Sequence, residues 1–148
     1  MTLKAAFVGL GAMGAPMAGH LKSKGLLHAV ANRTQAKADA LASELGVAAP
    51  TLAELAAQCD VIALCVTADA DVLANIEAML PHLKRGAIVV DHSTVSPETA
   101  KRAAARLATV GVDFLDAYCN SPLCAPSRFT LVSGQLPSKI GADRKSVV

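Results

Sequence analysis

The amino-acid sequence predicts an α/β fold: one domain built on a doubly wound, mostly parallel sheet. Three observations carry that prediction. Short apolar runs alternate with helical stretches as far as residue 117, the pattern of strands joined by right-handed helical crossovers. The run Asp60-Val61-Ile62-Ala63-Leu64-Cys65-Val66 is apolar on both faces, as a central parallel strand must be. The first strand enters the first helix through glycines spaced G-x-G-x-x-G, at Gly9, Gly11 and Gly14.

The elements follow in order. Ala5-Ala6-Phe7-Val8 is the first strand, and Pro16 falls in the first turn of the helix after it, where its missing N–H costs no intrahelical bond. Gly25 ends that helix. Leu26 to Ala31 is the second strand, closing on Asn32-Arg33-Thr34, and Thr34 caps a helix whose Ala38, Leu41, Ala42 and Leu45 recur at helical spacing before Gly46. Val47-Ala48-Ala49 reads as a short third strand ahead of Pro50. Thr51-Leu52-Ala53-Glu54 fits a capping box. After the central strand 60–66 come a helix over 70–80 stopped by Pro81 and a strand over Gly86 to Asp91. Ser96-Pro97-Glu98 opens a helix with Ala100, Ala103, Ala104 and Leu107 on one face, and Val112 to Ala117 forms a sixth strand. Beyond Ala117 the pattern fails, with Pro122, Pro126 and Pro137 interrupting it, and only Phe129-Thr130-Leu131-Val132 offers a short edge strand. The expected organisation is therefore a domain over 1–117 followed by a divergent segment over 118–148.

Composition excludes several classes. The chain has 148 residues, a formal charge of +2 and 3% aromatics, which leaves no basic stripe with stacking rings for nucleic acid. Apolar residues make up 53%, chiefly through alanine, yet no apolar run approaches the ~18 residues a membrane span requires. Met1-Thr2-Leu3-Lys4 leads directly into the first strand, so the expectation is a soluble cytoplasmic chain. Cys59 and Cys65 bracket an apolar strand and read as small buried hydrophobes; Cys119 and Cys124 have no nearby histidine to build a metal site.

The glycine turn carries the chemistry. A strand entering a helix this way aims backbone N–H groups and the positive end of the helix dipole at one spot, which suits a pyrophosphate. Gly9 permits the tight turn, Gly11 lets phosphates approach the backbone, and Gly14 lets helix and strand pack closely. The expected ligand is a dinucleotide, in a Rossmann-like domain. An acidic side chain at the end of the second strand would take a ribose 2′-hydroxyl; here Asn32-Arg33-Thr34 stands in that place. Arg33 can make a forked contact to a 2′-phosphate, with Asn32 and Thr34 adding neutral hydrogen bonds and Lys37 one turn on. NADP is expected over NAD, the alternative being that Arg33 is simply a solvated charge.

Phe7-Val8-Gly9-Leu10-Gly11-Ala12-Met13-Gly14-Ala15-Pro16-Met17-Ala18 resembles the opening signature of the β-hydroxyacid dehydrogenases, which include 3-hydroxyisobutyrate dehydrogenase. Asn32-Arg33-Thr34, Leu64-Cys65-Val66-Thr67, Asp91-His92-Ser93-Thr94-Val95-Ser96-Pro97 and Phe114-Leu115-Asp116-Ala117 extend the resemblance over residues 3 to 117. It implies a cofactor laid across the strand ends and held by Gly9, Leu10, Gly11, Ala12, Met13, Gly14, Asn32, Arg33 and Thr34. Val66 and Thr67 would lie near the adenosine ribose. Thr94 would lie near the nicotinamide and Ser93 at the substrate; a loop or cap role ahead of Ser96-Pro97 is the alternative for both. His92 is read as a loop residue.

Two departures from the family follow. Tyr118-Cys119-Asn120-Ser121-Pro122 replaces the family's glycine-rich substrate loop. The family's catalytic lysine belongs to a following helical domain that this chain lacks, and Lys139 and Lys145 match no motif, so no catalytic residue is assigned. The end, Asp143 to Val148, back-translates to a string like a common sequencing-library adapter, so the expectation is a gene fragment whose reading frame ran into adapter. The resemblance implies hydride transfer between nicotinamide and a small 3-hydroxy acid or semialdehyde in the full-length enzyme, with this chain binding nucleotide but inactive alone. An imine reductase cofactor domain and a non-catalytic nucleotide-binding module are the alternatives. No nucleic-acid or membrane partner is expected, and the oligomeric state stays open.

Overall fold

The computed structural model describes residues 3–116. Its sheet has five strands, all parallel, in the order β2-β1-β3-β4-β5. These are β1 (Ala5–Val8), β2 (Leu27–Ala31), β3 (Val61–Leu64), β4 (Ile88–Asp91) and β5 (Asp113–Asp116). The helices are α1 (Gly14–Ser23), α2 (Gln35–Leu45), α3 (Leu52–Gln58), α4 (Asp69–Met79) and α5 (Pro97–Ala108), with a 3-10 turn at Leu80–His82. The order reverses at β1, where the chain steps to one side for β2 and then to the other for β3. The fold is a Rossmann-like α/β domain.

Alternation along the strands assigns the two faces. Ala6 and Val8 of β1, Ala29 and Ala31 of β2, Ile62 and Leu64 of β3 and Val89 of β4 join one buried cluster with Leu55, Val72, Ile76, Met79, Ala103 and Leu107 of α3, α4 and α5. Phe7 points to the opposite face, where α1 covers it through Gly14; it is 1% exposed. Register aligns the strand ends: Val8 is level with Ala31 and Leu64, and Leu64 with Asp91. The loops that start at Gly9, Asn32, Cys65 and His92 therefore leave the sheet along one edge.

Local chemistry sets the helix ends. Thr51 and Glu54 form the expected capping box, with Glu54 N–H donating to Thr51 Oγ1 (3.3 Å) and Thr51 N–H to Glu54 Oε2 (2.9 Å). Gly46 closes α2 at φ +62°, in the left-handed region that glycine tolerates. Ser96 caps α5, and the Asp69 carboxylate accepts from Ser96 Oγ (2.6 Å) and Thr99 Oγ1 (2.7 Å), fastening the starts of α4 and α5 together. Those hydrogen bonds hold the Asp69 carboxyl below its ordinary range.

Three sequence expectations are corrected. Val47-Ala48-Ala49 is not a strand: it makes a single bridge, Ala48 to Ala29, before Pro50 removes the next donor, and the sheet has five strands rather than six. The central strand shortens to Val61–Leu64 because Cys65 and Val66 turn toward β1 and the β4 exit. On α5 the buried residues are Thr99, Ala103 and Leu107, Thr99 being admitted because Asp69 accepts from its hydroxyl. Expectations for residues 117–148, including the 129–132 strand, Cys119, Cys124 and the substrate-loop departure, lie outside the described residues.

Candidate functional site

The site lies where the strand order reverses, at the C-terminal ends of β1 and β3, the position at which open α/β sheets receive ligands. A cleft of about 420 Å³ opens there. Gly9, Leu10 and Gly11 form its floor, Asn32, Arg33, Thr34 and Lys37 one wall, and Cys65, Val66, Thr67 and Asp71 the other, with Leu52, Ala74 and Asn75 also in its lining.

Each glycine has a distinct steric reason. Gly9 sits at φ +95°, and a Cβ there would stand 2.2 Å from the Cys65 carbonyl oxygen, so the turn can pass the end of β3 only without a side chain. A Cβ on Gly14 would stand 1.8 Å from the Gly9 carbonyl oxygen, so α1 packs on the turn backbone to backbone. A Cβ on Gly11 would meet nothing within 4 Å: the space beside it is open cleft.

The turn presents donors to that space. Among the described residues, the N–H groups of Gly11, Ala12 and Met13 take part in no hydrogen bond, and Met13, the N-cap of α1, makes no side-chain capping bond. Three unclaimed amides at a helix N-terminus beside an open cavity fit a diphosphate. The Leu10 N–H is committed elsewhere: it donates to Asn32 Oδ1 at 3.0 Å, while Asn32 Nδ2 donates to the Thr34 carbonyl at 3.2 Å. The Asn32 side chain is therefore a strut between the two loops. Thr34 makes no capping bond with its hydroxyl and belongs to the lining of the cleft.

The predicted residues divide by position. Gly9, Leu10, Gly11, Asn32, Arg33, Thr34, Val66 and Thr67 all line the cleft. Ala12 lines a shallower groove toward α2, while Met13 is half-buried and Gly14 buried beneath the turn. Ser93 and Thr94 are outside the lining, and Ser93 Oγ accepts from the Val66 N–H at 2.9 Å, tying the β4 exit to the β3 exit. Ser93 N–H in turn donates to Asp91 Oδ1 at 2.8 Å. His92 stacks on Phe7 (ring centroids 6.4 Å apart, planes at 12°), its Nδ1 buried without a hydrogen-bond partner, and burial lowers its basicity. Burial likewise raises the Cys65 thiol above its ordinary value, keeping it protonated beside the cleft.

Sequence reasoning missed Asp71, Leu52, Ala74 and Asn75. Asp71 is the one carboxylate among the described lining residues, and Arg33 Nη1 lies 3.4 Å from its Oδ1. An acid three residues into a helix after a central strand carries no local signal; only the fold brings it opposite Arg33. Among the described residues there is no cluster of His, Cys, Asp or Glu able to hold a metal ion, and no helix long and apolar enough to cross a membrane.

Comparison with known proteins agrees with the fold. Residues 4–118 match the family described as the NAD binding domain of 6-phosphogluconate dehydrogenase. An uncharacterized oxidoreductase of Shewanella frigidimarina is 40% identical over 118 residues, covering 77% of this chain and 40% of the relative. The solved 3-hydroxyisobutyrate dehydrogenase of Mycobacterium tuberculosis, bound to L-serine, superimposes with a TM-score of 0.74 at 28% identity, over 80% of this chain and 41% of that one. An imine reductase from Myxococcus stipitatus in complex with NADP+ does so with a TM-score of 0.69 at 26% identity, over 76% of this chain and 39% of that one. The chain thus spans less than half the length of each of these proteins.

Proposed function

The chain belongs to the family of the NAD binding domain of 6-phosphogluconate dehydrogenase, and from that premise we propose that its cleft binds NADP(H) in preference to NAD(H). It does so as the cofactor domain of an oxidoreductase acting on a small 3-hydroxy acid or semialdehyde. The observation that carries the reading is the glycine turn: the unclaimed amides of Gly11, Ala12 and Met13, open space beside Gly11, and Arg33 and Lys37 in the lining of the same cleft. In this reading Gly11, Ala12 and Met13 donate to the diphosphate. Asn32 holds the turn in register, Arg33 and Thr34 meet a 2′-phosphate, and Val66 and Thr67 form the opposite wall. Ser93 positions the β3 exit by accepting from the Val66 N–H, and its O–H can still donate to a substrate. When bound, the nicotinamide supplies the hydride. We assign no proton-transfer residue within the chain, so on its own it binds without turnover.

A second reading, an imine reductase cofactor domain, draws support from the Myxococcus structure. The two share this cleft and differ in the substrate of the complete enzyme.

Calorimetric titration of the purified chain with NADPH and NADH tests the reading. A charge-assisted contact to the 2′-phosphate contributes about 1.5–3 kcal/mol, so Arg33→Ala should lower NADPH affinity about tenfold or more while leaving NADH within about twofold. An unchanged NADPH-to-NADH ratio would remove Arg33 from the assignment.

A further inference from the structure

We propose that Asp71 is a specificity determinant of the nucleotide cleft, a counter-charge that holds Arg33 and opposes a 2′-phosphate. Preference for NADP(H) is then smaller than Arg33, Thr34 and Lys37 alone would give. The inference rests on the dinucleotide reading above.

The pair spans the cleft. Arg33 leaves β2 on one wall and Asp71 belongs to the first turn of α4 on the other, 38 positions away in sequence. The two partners are unequal: the Arg33 side chain is 87% exposed, the Asp71 side chain 32%. Asp71 is fixed by its helix, whose neighbouring Val72 and Ile76 are fully buried, and its carbonyl accepts from Asn75 Nδ2 at 2.7 Å. Arg33 is the member free to move. Its contact is a single one at 3.4 Å, leaving most of the guanidinium's five N–H donors unused. Such a contact is a loose latch that a better anion can open.

A 2′-phosphate reaching Arg33 has to draw the guanidinium off Asp71 or settle beside the carboxylate; either weakens its binding. A free 2′-hydroxyl meets neither penalty, since it can donate to a carboxylate. Among the described residues Lys37 is the other charged side chain in the lining, and no second carboxylate shares it. The acid that is absent from the end of β2 therefore arrives at the same cleft from α4.

The test is titration of the full chain with NADPH and NADH in wild type, Asp71→Asn, Asp71→Ser, Arg33→Ala and the Arg33→Ala/Asp71→Asn double variant, each checked for folding by circular dichroism. Asp71→Asn should raise NADPH affinity about three- to tenfold and move NADH by less than about twofold. The gain should shrink at 0.5 M salt, where the Debye length falls to ~4 Å, and shrink again without Arg33. Asp71→Ser, which introduces no amide donor, should move affinity in the same direction. A ratio that stays constant or falls in both Asp71 variants overturns the proposal. Failure of the underlying reading shows separately, as wild type that binds neither nucleotide or Arg33→Ala that spares the ratio, and it takes the proposal with it.

Discussion

Gly14→Ala puts the packing of α1 on the glycine turn to a direct test. The added Cβ would stand 1.8 Å from the Gly9 carbonyl oxygen and 3.1 Å from Phe7 Cε1. A Cβ essentially never stands closer than 3.0 Å to a neighbouring heavy atom, so helix and turn must separate by more than about 1 Å. Neither neighbour can step aside: one is backbone, the other a ring 1% exposed. Overpacking costs about 1–3 kcal/mol, and a backbone clash belongs at the upper end. The better helix propensity of alanine returns at most about 1 kcal/mol. The net loss is about 2 kcal/mol, or roughly 4–10 °C in Tm for a domain of this size. Moving the Gly11, Ala12 and Met13 amides by about 1 Å also takes ~2.9 Å hydrogen bonds out of range, so NADPH affinity should fall at least about tenfold. Gly19→Ala in the same helix is the control: its Cβ would meet nothing within 4 Å, and the change should stabilise by about 0.4–1 kcal/mol. Thermal melts by circular dichroism with parallel titrations read both effects. A Gly14→Ala variant that melts like wild type and keeps its affinity would refute the close-packing argument.

Two further predictions follow from the struts of the site. Asn32→Ala leaves the buried Leu10 N–H without its acceptor and should cost about 1–3 kcal/mol in urea unfolding; Asn32→Asp, which keeps an acceptor oxygen, should recover most of that loss while weakening binding of the anionic nucleotide. If Asn32→Ala unfolds at the wild-type midpoint, the strut carries no stability. The half-buried His92 imidazole is held below its ordinary basicity, with Asp91 only partly opposing. The fold thus favours the neutral ring, and its contribution is complete above about pH 6.5 and lost as the pH falls through the lower folded value. Urea midpoints should decline on acidification from about pH 6.5, and His92→Phe should flatten that segment; an unaltered slope in the variant would assign the decline to other groups.

Local chemistry was readable from the chain, and tertiary chemistry was not. The Thr51–Glu54 box, the Ser96 cap, the Gly46 terminus and the strand–turn–helix at Gly9 to Gly14 each depend on residues within a few positions of one another, so spacing alone locates them. Val47-Ala48-Ala49 misled because three residues of strand-like character have too little length to pair beyond one bridge. Sequence alone places Asn32 and Ser93 near a ligand, with a loop role the alternative for Ser93; it does not show that their side chains also satisfy the Leu10 and Val66 amides of neighbouring loops. That need arises only once the strand ends are aligned. Thr99 resembles a surface position until Asp69, 30 residues earlier, supplies an acceptor for its hydroxyl. Asp71 is hidden for the same reason: the end of β2 holds no acid, and only the fold delivers one to the cleft from α4.

The central claim is that the unclaimed amides of the glycine turn receive the diphosphate of a nicotinamide dinucleotide. An amide-resolved NMR titration of the folded chain with NADPH tests it most directly. The Gly11, Ala12 and Met13 N–H resonances should shift downfield and saturate together, ahead of any change at the distant Gly25 and Gly86 turns. Saturable binding that leaves those three resonances in place, or a well-dispersed spectrum that NADPH does not alter, would contradict the account.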